Sequence, residues 1–105
     1  MEFLQRLFKS VSGETRIEIL LLLLEKGELS VSDIASALNR NISTISRNLT
    51  ILERNNFIIS RHLAANVYYR INDDPRWRYN KAILEIFKLK LADVTHNRTK
   101  QTGIG

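Results

Sequence analysis

Four segments with the hydrophobic period of a helix, a change to period two, and a closing helical segment predict a mainly α fold with one small β-hairpin, ordered α-α-α-α-β-β-α. Two local signals sharpen this. "SVSD" at residues 30–33 is a capping-box pattern that opens a helix, and "NRN" separates that helix from the next by three residues. Then "FIISRHL" and "VYYRI", β-branched and aromatic runs flanking a three-residue break, read as paired strands. A chain of 105 residues with 44% hydrophobic content supports one core, and domains of this size often gain stability by pairing.

The first helix, over residues 2–11, places Phe3, Leu4, Leu7, Phe8 and Val11 along one side. Ser12 offers an N-cap and Gly13 eases the turn into a second helix over 14–26, which is apolar nearly all round in its last two turns and stops at Gly27. This is the central core helix. A short third helix turns Ile34, Ala35 and Leu38 inward. The fourth is capped by Asn41, carries Ile42, Ile45, Leu49 and Leu52 as its apolar stripe, and ends at Asn55-Asn56, where Asn accepts the left-handed conformation. Ala64-Ala65-Asn66 joins the two strands of the hairpin, without the Gly most tight turns use. Asp74 then caps a last helix with Pro75 at its first position, and Trp77, Ile83, Ile86, Phe87, Leu91 and Val94 form its apolar side. The expected organisation is one domain over residues 1–97, with a helix-turn-helix at 31–55, a hairpin at 57–72 and a long helix at 75–97, followed by a flexible tail at 98–105.

Composition narrows the function classes. The absence of Cys excludes disulfides and thiolate metal sites and is compatible with a reducing cytoplasm. The longest apolar run, "ILLLLL", is far short of the roughly 20 residues that cross a bilayer, and "MEFLQRLFKS" lacks the layout of a signal peptide. A cytoplasmic protein without a membrane partner is expected. There is no Gly-rich phosphate loop, and neither of the two His residues has an acid or nucleophile partner, so an enzyme is not expected. The net charge of +5 divides unevenly: residues 1–34 carry −2, residues 35–72 carry +4 and residues 73–105 carry +3. All the basic residues of the middle segment are Arg, at positions 40, 47, 54, 61 and 70.

The fourth helix has an unusual polar face. Exposed helix faces favour Lys and Glu at i,i+4, whereas "NISTISRNLTIL" offers Ser43, Thr44, Ser46, Arg47, Asn48 and Thr50, mostly mediocre helix formers. These residue types suit contact with base edges and phosphates: Arg to guanine, Asn to adenine, hydroxyls to either. Placed on the second helix of a helix-turn-helix, they predict a reader of the DNA major groove. The candidate DNA-binding set is Arg40, Ser43, Thr44, Ser46, Arg47 and Asn48, with Arg61, His62 and Asn66 on the hairpin, or wing. Arg16 is expected to close a structural contact at the core edge instead.

The stretch "SVSGETRIEILLLLLEKGELSVSDIASALNRNISTISRNLTILERNNFI" resembles the core of the ArsR family of winged-helix repressors, in the Thr15-Arg16 entry to the second helix, the "ELSVSDIA" segment and the "STISRNL" recognition helix. "VYYRI" resembles that family's second wing strand, and the likeness spans about residues 5–72. It implies a winged helix-turn-helix, a homodimer paired through its first and last helices, operator binding, and repression relieved by an effector. The effector's identity is not implied. Metal-sensing members carry two cysteines in an "ELCVCDL"-like segment, where this chain has Ser30 and Ser32, whose hydroxyls are poor ligands for soft metals. A second family site uses Asp and His ligands on the last helix. Asp93 and His96 match part of it without the further His/Glu pair, Glu85 stands two to three turns away, and a solvated pair is the plainer reading. No metal or other cofactor is expected.

The apolar residues of the first and last helices exceed what one small core covers, which makes Phe3, Leu4, Leu7, Trp77, Ile83, Ile86, Phe87, Leu91 and Val94 candidates for a dimer seam. The function expected is a homodimeric repressor that reads an inverted repeat in double-stranded DNA. A zinc-responsive repressor using last-helix ligands, or a winged helix that binds protein or RNA, are the alternatives.

Overall fold

A computed structural model describes the backbone of residues 2–104 and the side chains of residues 2–94. Five helices, α1 (Glu2–Val11), α2 (Glu14–Lys26), α3 (Val31–Leu38), α4 (Ile42–Arg54) and α5 (Arg78–Ile104), surround three strands, β1 (Leu29–Ser30), β2 (Ile58–Leu63) and β3 (Asn66–Ile71). The elements follow the order the sequence predicts, with β1 added. Ile19, Leu20 and Leu23 of α2 meet Ile34 of α3 and Ile45, Leu49 and Leu52 of α4, and Phe57 and Ile58 close the core beneath the hairpin. These side chains are at most 1% exposed. Losing any of them leaves a cavity that close-packed neighbours fill only in part.

Local chemistry sets most boundaries. Ser30 caps α3 by accepting the Asp33 amide at 3.1 Å, and Asn41 caps α4 by accepting the Thr44 amide at 2.9 Å. Between them Asn39 takes the left-handed conformation, φ 52°, which reverses the chain in the short helix-turn-helix corner. Asn56, at φ 67°, does the same after α4. Gly27 ends α2 at φ 87°, a region costly for a side chain with a Cβ, while its N–H donates to Leu23 O.

The sheet is antiparallel in the order β1-β3-β2. The hairpin register pairs Ile58 with Ile71 and Leu63 with Asn66, leaving a two-residue turn at Ala64-Ala65 in which Ala64 adopts φ 56°. Tyr69 packs toward the core, and Tyr68 takes the opposite face because strand side chains alternate. Strand β1 went unforeseen: two residues are too few to show a period. It pairs Leu29 with Tyr69 and Ser30 with Tyr68, so Ser30 is at once a sheet residue and the cap of α3.

Other differences have local causes. Ser12 does not cap α2; its hydroxyl turns back to Lys9 O at 3.1 Å, and Gly13 stands at the N-cap with the Arg16 guanidinium so close that a Cβ there would lie 2.9 Å from it. Helix α5 starts at Arg78 rather than 75, because the Asp74 carboxylate is used within a turn, accepting the Arg76 amide at 2.9 Å and pairing with its guanidinium at 2.7 Å. That pairing holds the Asp74 carboxyl below its ordinary range. Its backbone continues helical to Ile104 where a tail was expected, as no Pro interrupts 98–104. Ile42, expected in the apolar stripe of α4, is 54% exposed, since the first turn overhangs the core. Leu7 and Ile83, expected at a dimer seam, are buried in the chain's own core, because α1 and α5 turn these positions inward with Val11 and Leu84. Phe87 packs partly against the same core, while Phe3, Leu4, Trp77 and Ile86 are exposed, together with Phe8, Tyr79 and Leu89, which the candidate set omitted.

The C-terminal end of α4 is sealed by three amides. Asn55 Nδ2 donates to Ile51 O at 2.8 Å, Asn80 Nδ2 to Asn55 O at 2.7 Å, and Asn72 Nδ2 to Asn56 O at 3.2 Å. Asn80 is buried, so α5 is fastened to the end of α4 through a side chain with a fixed partner.

Candidate nucleic-acid interface

With Ile45, Leu49 and Leu52 buried, helix geometry decides which polar residues of α4 face outward. Ser43, Arg47, Thr50 and Arg54 recur at spacings of four, three and four, and all four are exposed. They form a continuous ridge opposite the core, with half-buried Ser46 along its flank, while exposed Ile42 stands at the N-terminal end of the apolar stripe. Arg47 has no ion-pair partner among the described residues. Ser43 Oγ leans on the capping Asn41 Oδ1 at 2.9 Å and Thr50 Oγ1 donates to Ser46 O at 3.0 Å, so both hydroxyls are oriented yet keep acceptor capacity toward solvent. Thr50 and Ile42 were not among the predicted site residues; placing Thr50 on one helical wheel with Ser43 and Arg47 was signal enough for the first.

Thr44 and Asn48 lie on a different face and do not join this ridge. Asn48 Oδ1 accepts Arg16 Nη1 at 2.9 Å, and its Nδ2 donates to Thr44 O at 2.8 Å. Arg16 in turn donates through Nε to Ser10 O at 2.8 Å and through Nη2 to Lys9 O at 3.4 Å. Arg16 therefore closes the structural contact expected of it, and it engages the amide of Asn48 in doing so. A base contact by Asn48 would have to break or share these bonds. No signal short of the tertiary fold connects residues 16 and 48.

Two arginines of the candidate DNA-binding set are likewise engaged. Arg40 Nη2 lies 2.6 Å from Glu18 Oε1 and 3.7 Å from Glu14 Oε1, and its Nε is buried without a partner. Arg61 grips Glu28 with both ends of its fork, Nε to Oε2 at 2.9 Å and Nη2 to Oε1 at 2.6 Å. The Arg61 hydrogen bond holds the Glu28 carboxyl below its usual range, and the same contact raises the guanidinium. The acids in these pairs all come from the acidic first third of the chain, so the charge segregation along the sequence is partly cancelled in space. Among the described residues of this middle segment, Arg47 and Arg54 have no ion-pair partner and Arg70 has only a longer-range attraction to Glu28, with His62 and Asn66 exposed near the wing tip.

Among the described residues no group of three or more His, Asp or Glu side chains is placed to hold a metal. Asp93 is exposed on α5, and the side chain of His96 lies outside the described ones. None of the described helices is long and apolar enough to cross a membrane.

The model of the MarR family matches residues 14–66, half of the chain and all of the helix-turn-helix. The arsenic resistance transcriptional regulator ArsR2 of Pseudomonas putida is 42% identical over 71 residues, covering 67% of this chain and 62% of that protein. The arsenical resistance operon repressor of Escherichia coli is 40% identical over 73 residues, covering 69% and 62% respectively. The chain thus spans less than two thirds of the length of these relatives. Among solved structures, the homodimeric winged helix-turn-helix DNA-binding domain of Mb0332 from Mycobacterium bovis, a possible ArsR-family transcriptional regulator, superimposes with a TM-score of 0.69 at 27% identity, covering 96% of this chain and 84% of that one. The winged helix-turn-helix expected from the sequence is the fold observed. The likeness to arsenic-type repressors reappears in the relatives, while the matching family model is a different one from that expected.

Proposed function

The chain belongs to the MarR family, and from that premise we propose that it is a transcriptional repressor of the ArsR type, which binds duplex DNA as a homodimer and reads an inverted repeat. The observation that carries this reading is the ridge Ser43–Arg47–Thr50 on α4, held outward by a buried stripe and flanked by a wing with Arg70, His62 and Asn66 exposed. Arg47 donates to guanine O6/N7 or a phosphate, Ser43 and Thr50 hydrogen-bond base edges or backbone, and Ile42 meets a thymine methyl. Ser46 reaches the groove wall, and Arg61 and Arg40 steer the complex through fields already softened by their carboxylate partners. The exposed residues Leu4, Phe8, Ile86 and Leu89 form the centre of the dimer seam, with Phe3 and Trp77 at its margin and Phe87, Leu91 and Val94 supporting it from the half-buried side of α5. Regulation proceeds without a thiolate metal sensor, since this chain holds no Cys.

Random-site selection with the intact chain, followed by salt titration, tests the reading. An inverted repeat should emerge, and Arg47→Ala should weaken binding to it by about 1–3 kcal/mol while relaxing preference at one base position. Selection that yields no sequence, with binding that falls equally with salt for both proteins, would reduce the chain to a nonspecific binder or a protein-interaction module.

A further inference from the structure

Arginines that lie beside a carboxylate in this fold take it as a partner: Arg40 with Glu18, Arg61 with Glu28, Arg76 with Asp74. A cleft of about 580 Å³ between α1, the end of α4 and the start of α5 departs from this pattern. Arg6, Arg54, Arg76 and Arg78 line it and no carboxylate does; Arg76 is held by Asp74, but none of the other three has an ion-pair partner among the described residues. Phe3, Trp77 and Tyr79 supply aromatic walls, with Phe3 and Tyr79 in edge-to-face contact at 5.5 Å between ring centres.

A helix C-terminus ordinarily repels anions. Here the carbonyls of Ile51, Leu52 and Glu53 accept from the backbone amides of Asn55, Phe57 and Asn56, and Asn80 and Asn72 donate to Asn55 O and Asn56 O just beyond the helix, so the arginines are not needed to cap these groups. The volume falls within the roughly 300–1,000 Å³ typical of small-molecule sites. Guanidinium forks match phosphate oxygens, and a phosphomonoester brings close to two negative charges and three acceptor oxygens where a carboxylate brings one charge and two. Flat rings on the cleft wall favour a flat ring in the ligand.

We propose that this cleft binds a small phosphomonoester carrying an aromatic ring, the phosphate on Arg6, Arg54 and Arg78 and the ring against Trp77 and Tyr79. Such a ligand bridges one helix that bears the groove-facing ridge and two that bear exposed apolar residues, so its occupancy ties the setting of α4 to that of α1 and α5. Phe3 and Trp77 stand both in the cleft wall and at the margin of the proposed seam, so the cleft borders that seam, with Ile86 two turns, about 10 Å, from Tyr79 along α5. The proposal does not rest on the DNA-binding reading.

Trp77 is the chain's only tryptophan and reports directly on the cleft. Its fluorescence is followed while the full chain is titrated with phenyl phosphate, inorganic phosphate and benzoate. Saturable binding of phenyl phosphate at least tenfold tighter than either of the other two, weakened at least tenfold in the Arg54→Gln/Arg78→Gln double variant, is the expected result. No saturable response to phenyl phosphate, benzoate bound as tightly, or a double variant that binds like the wild type would each overturn it. Should the double variant fail to fold by circular dichroism, Arg6→Gln alone supplies the comparison, with at least a threefold loss expected and unchanged affinity overturning the proposal.

Discussion

Replacing Arg16 with Met keeps an unbranched apolar stem close to that of Arg and removes every donor. Two well-formed bonds from a charged group are lost, at 2.8 Å to Ser10 O and 2.9 Å to Asn48 Oδ1, while the third, at 3.4 Å to Lys9 O, is too long to count for much. Bonds to charged groups contribute about 1.5–3 kcal/mol each when dry. Arg16 is only half-buried, so the expected loss is nearer 2 kcal/mol in all, enough to lower the Tm of a domain this size by roughly 8–16 °C. Urea denaturation of the wild type, Arg16→Met, Asn48→Ala and the double variant then isolates the link between residues 16 and 48. A coupling of about 1 kcal/mol is expected, because the two side chains share one bond. Additivity within about 0.3 kcal/mol would mean that the bond does not form in solution, and Asn48 would return to the set of groups available to a base edge.

Two further tests concern charge and assembly. The Glu28 carboxyl is held below its ordinary value of 4.5 by Arg61, so the clamp contributes fully above about pH 4.5 and is lost as the pH falls through the lower, folded value. An NMR titration of Glu28 should show this depression in the wild type and its disappearance in Arg61→Gln; identical curves would refute the clamp. Ile86 and Leu89 are 61% and 67% exposed, and burying each in a seam is worth about 1.5–3 kcal/mol. Ile86→Glu/Leu89→Glu should therefore raise the dimer dissociation constant at least 100-fold by sedimentation velocity, and an unaltered mass distribution would place the seam elsewhere.

What could be read from the sequence was what depends on near neighbours. The caps Ser30 and Asn41, the left-handed Asn56, the buried Ile45, Leu49 and Leu52, and the hairpin all follow from periods and short motifs, and the structure has them. Order and spacing sufficed for the helix-turn-helix. What stayed hidden were contacts between residues far apart in the chain. Arg40 and Arg61 looked available because Glu18 and Glu28 are 22 and 33 residues away, and Asn48 looked available because Arg16 is 32 residues away. Helix rotation was the other gap: the apolar side of α5 carries residues for two surfaces, and the sequence does not say that Ile83 and Leu84 turn inward while Ile86 and Leu89 turn out.

Ser30 ends a strand that hydrogen-bonds to the middle of the wing and, with the same residue, begins α3. The wing and the paired helices are therefore cut from one piece, like the two jaws of a caliper locked at a set width. If both jaws rest on a duplex, the span between them cannot adjust to the DNA, and a sequence whose grooves are too wide or too narrow must itself bend or be refused. Discrimination at base pairs that no side chain touches is the result to look for in the flanks of a selected site.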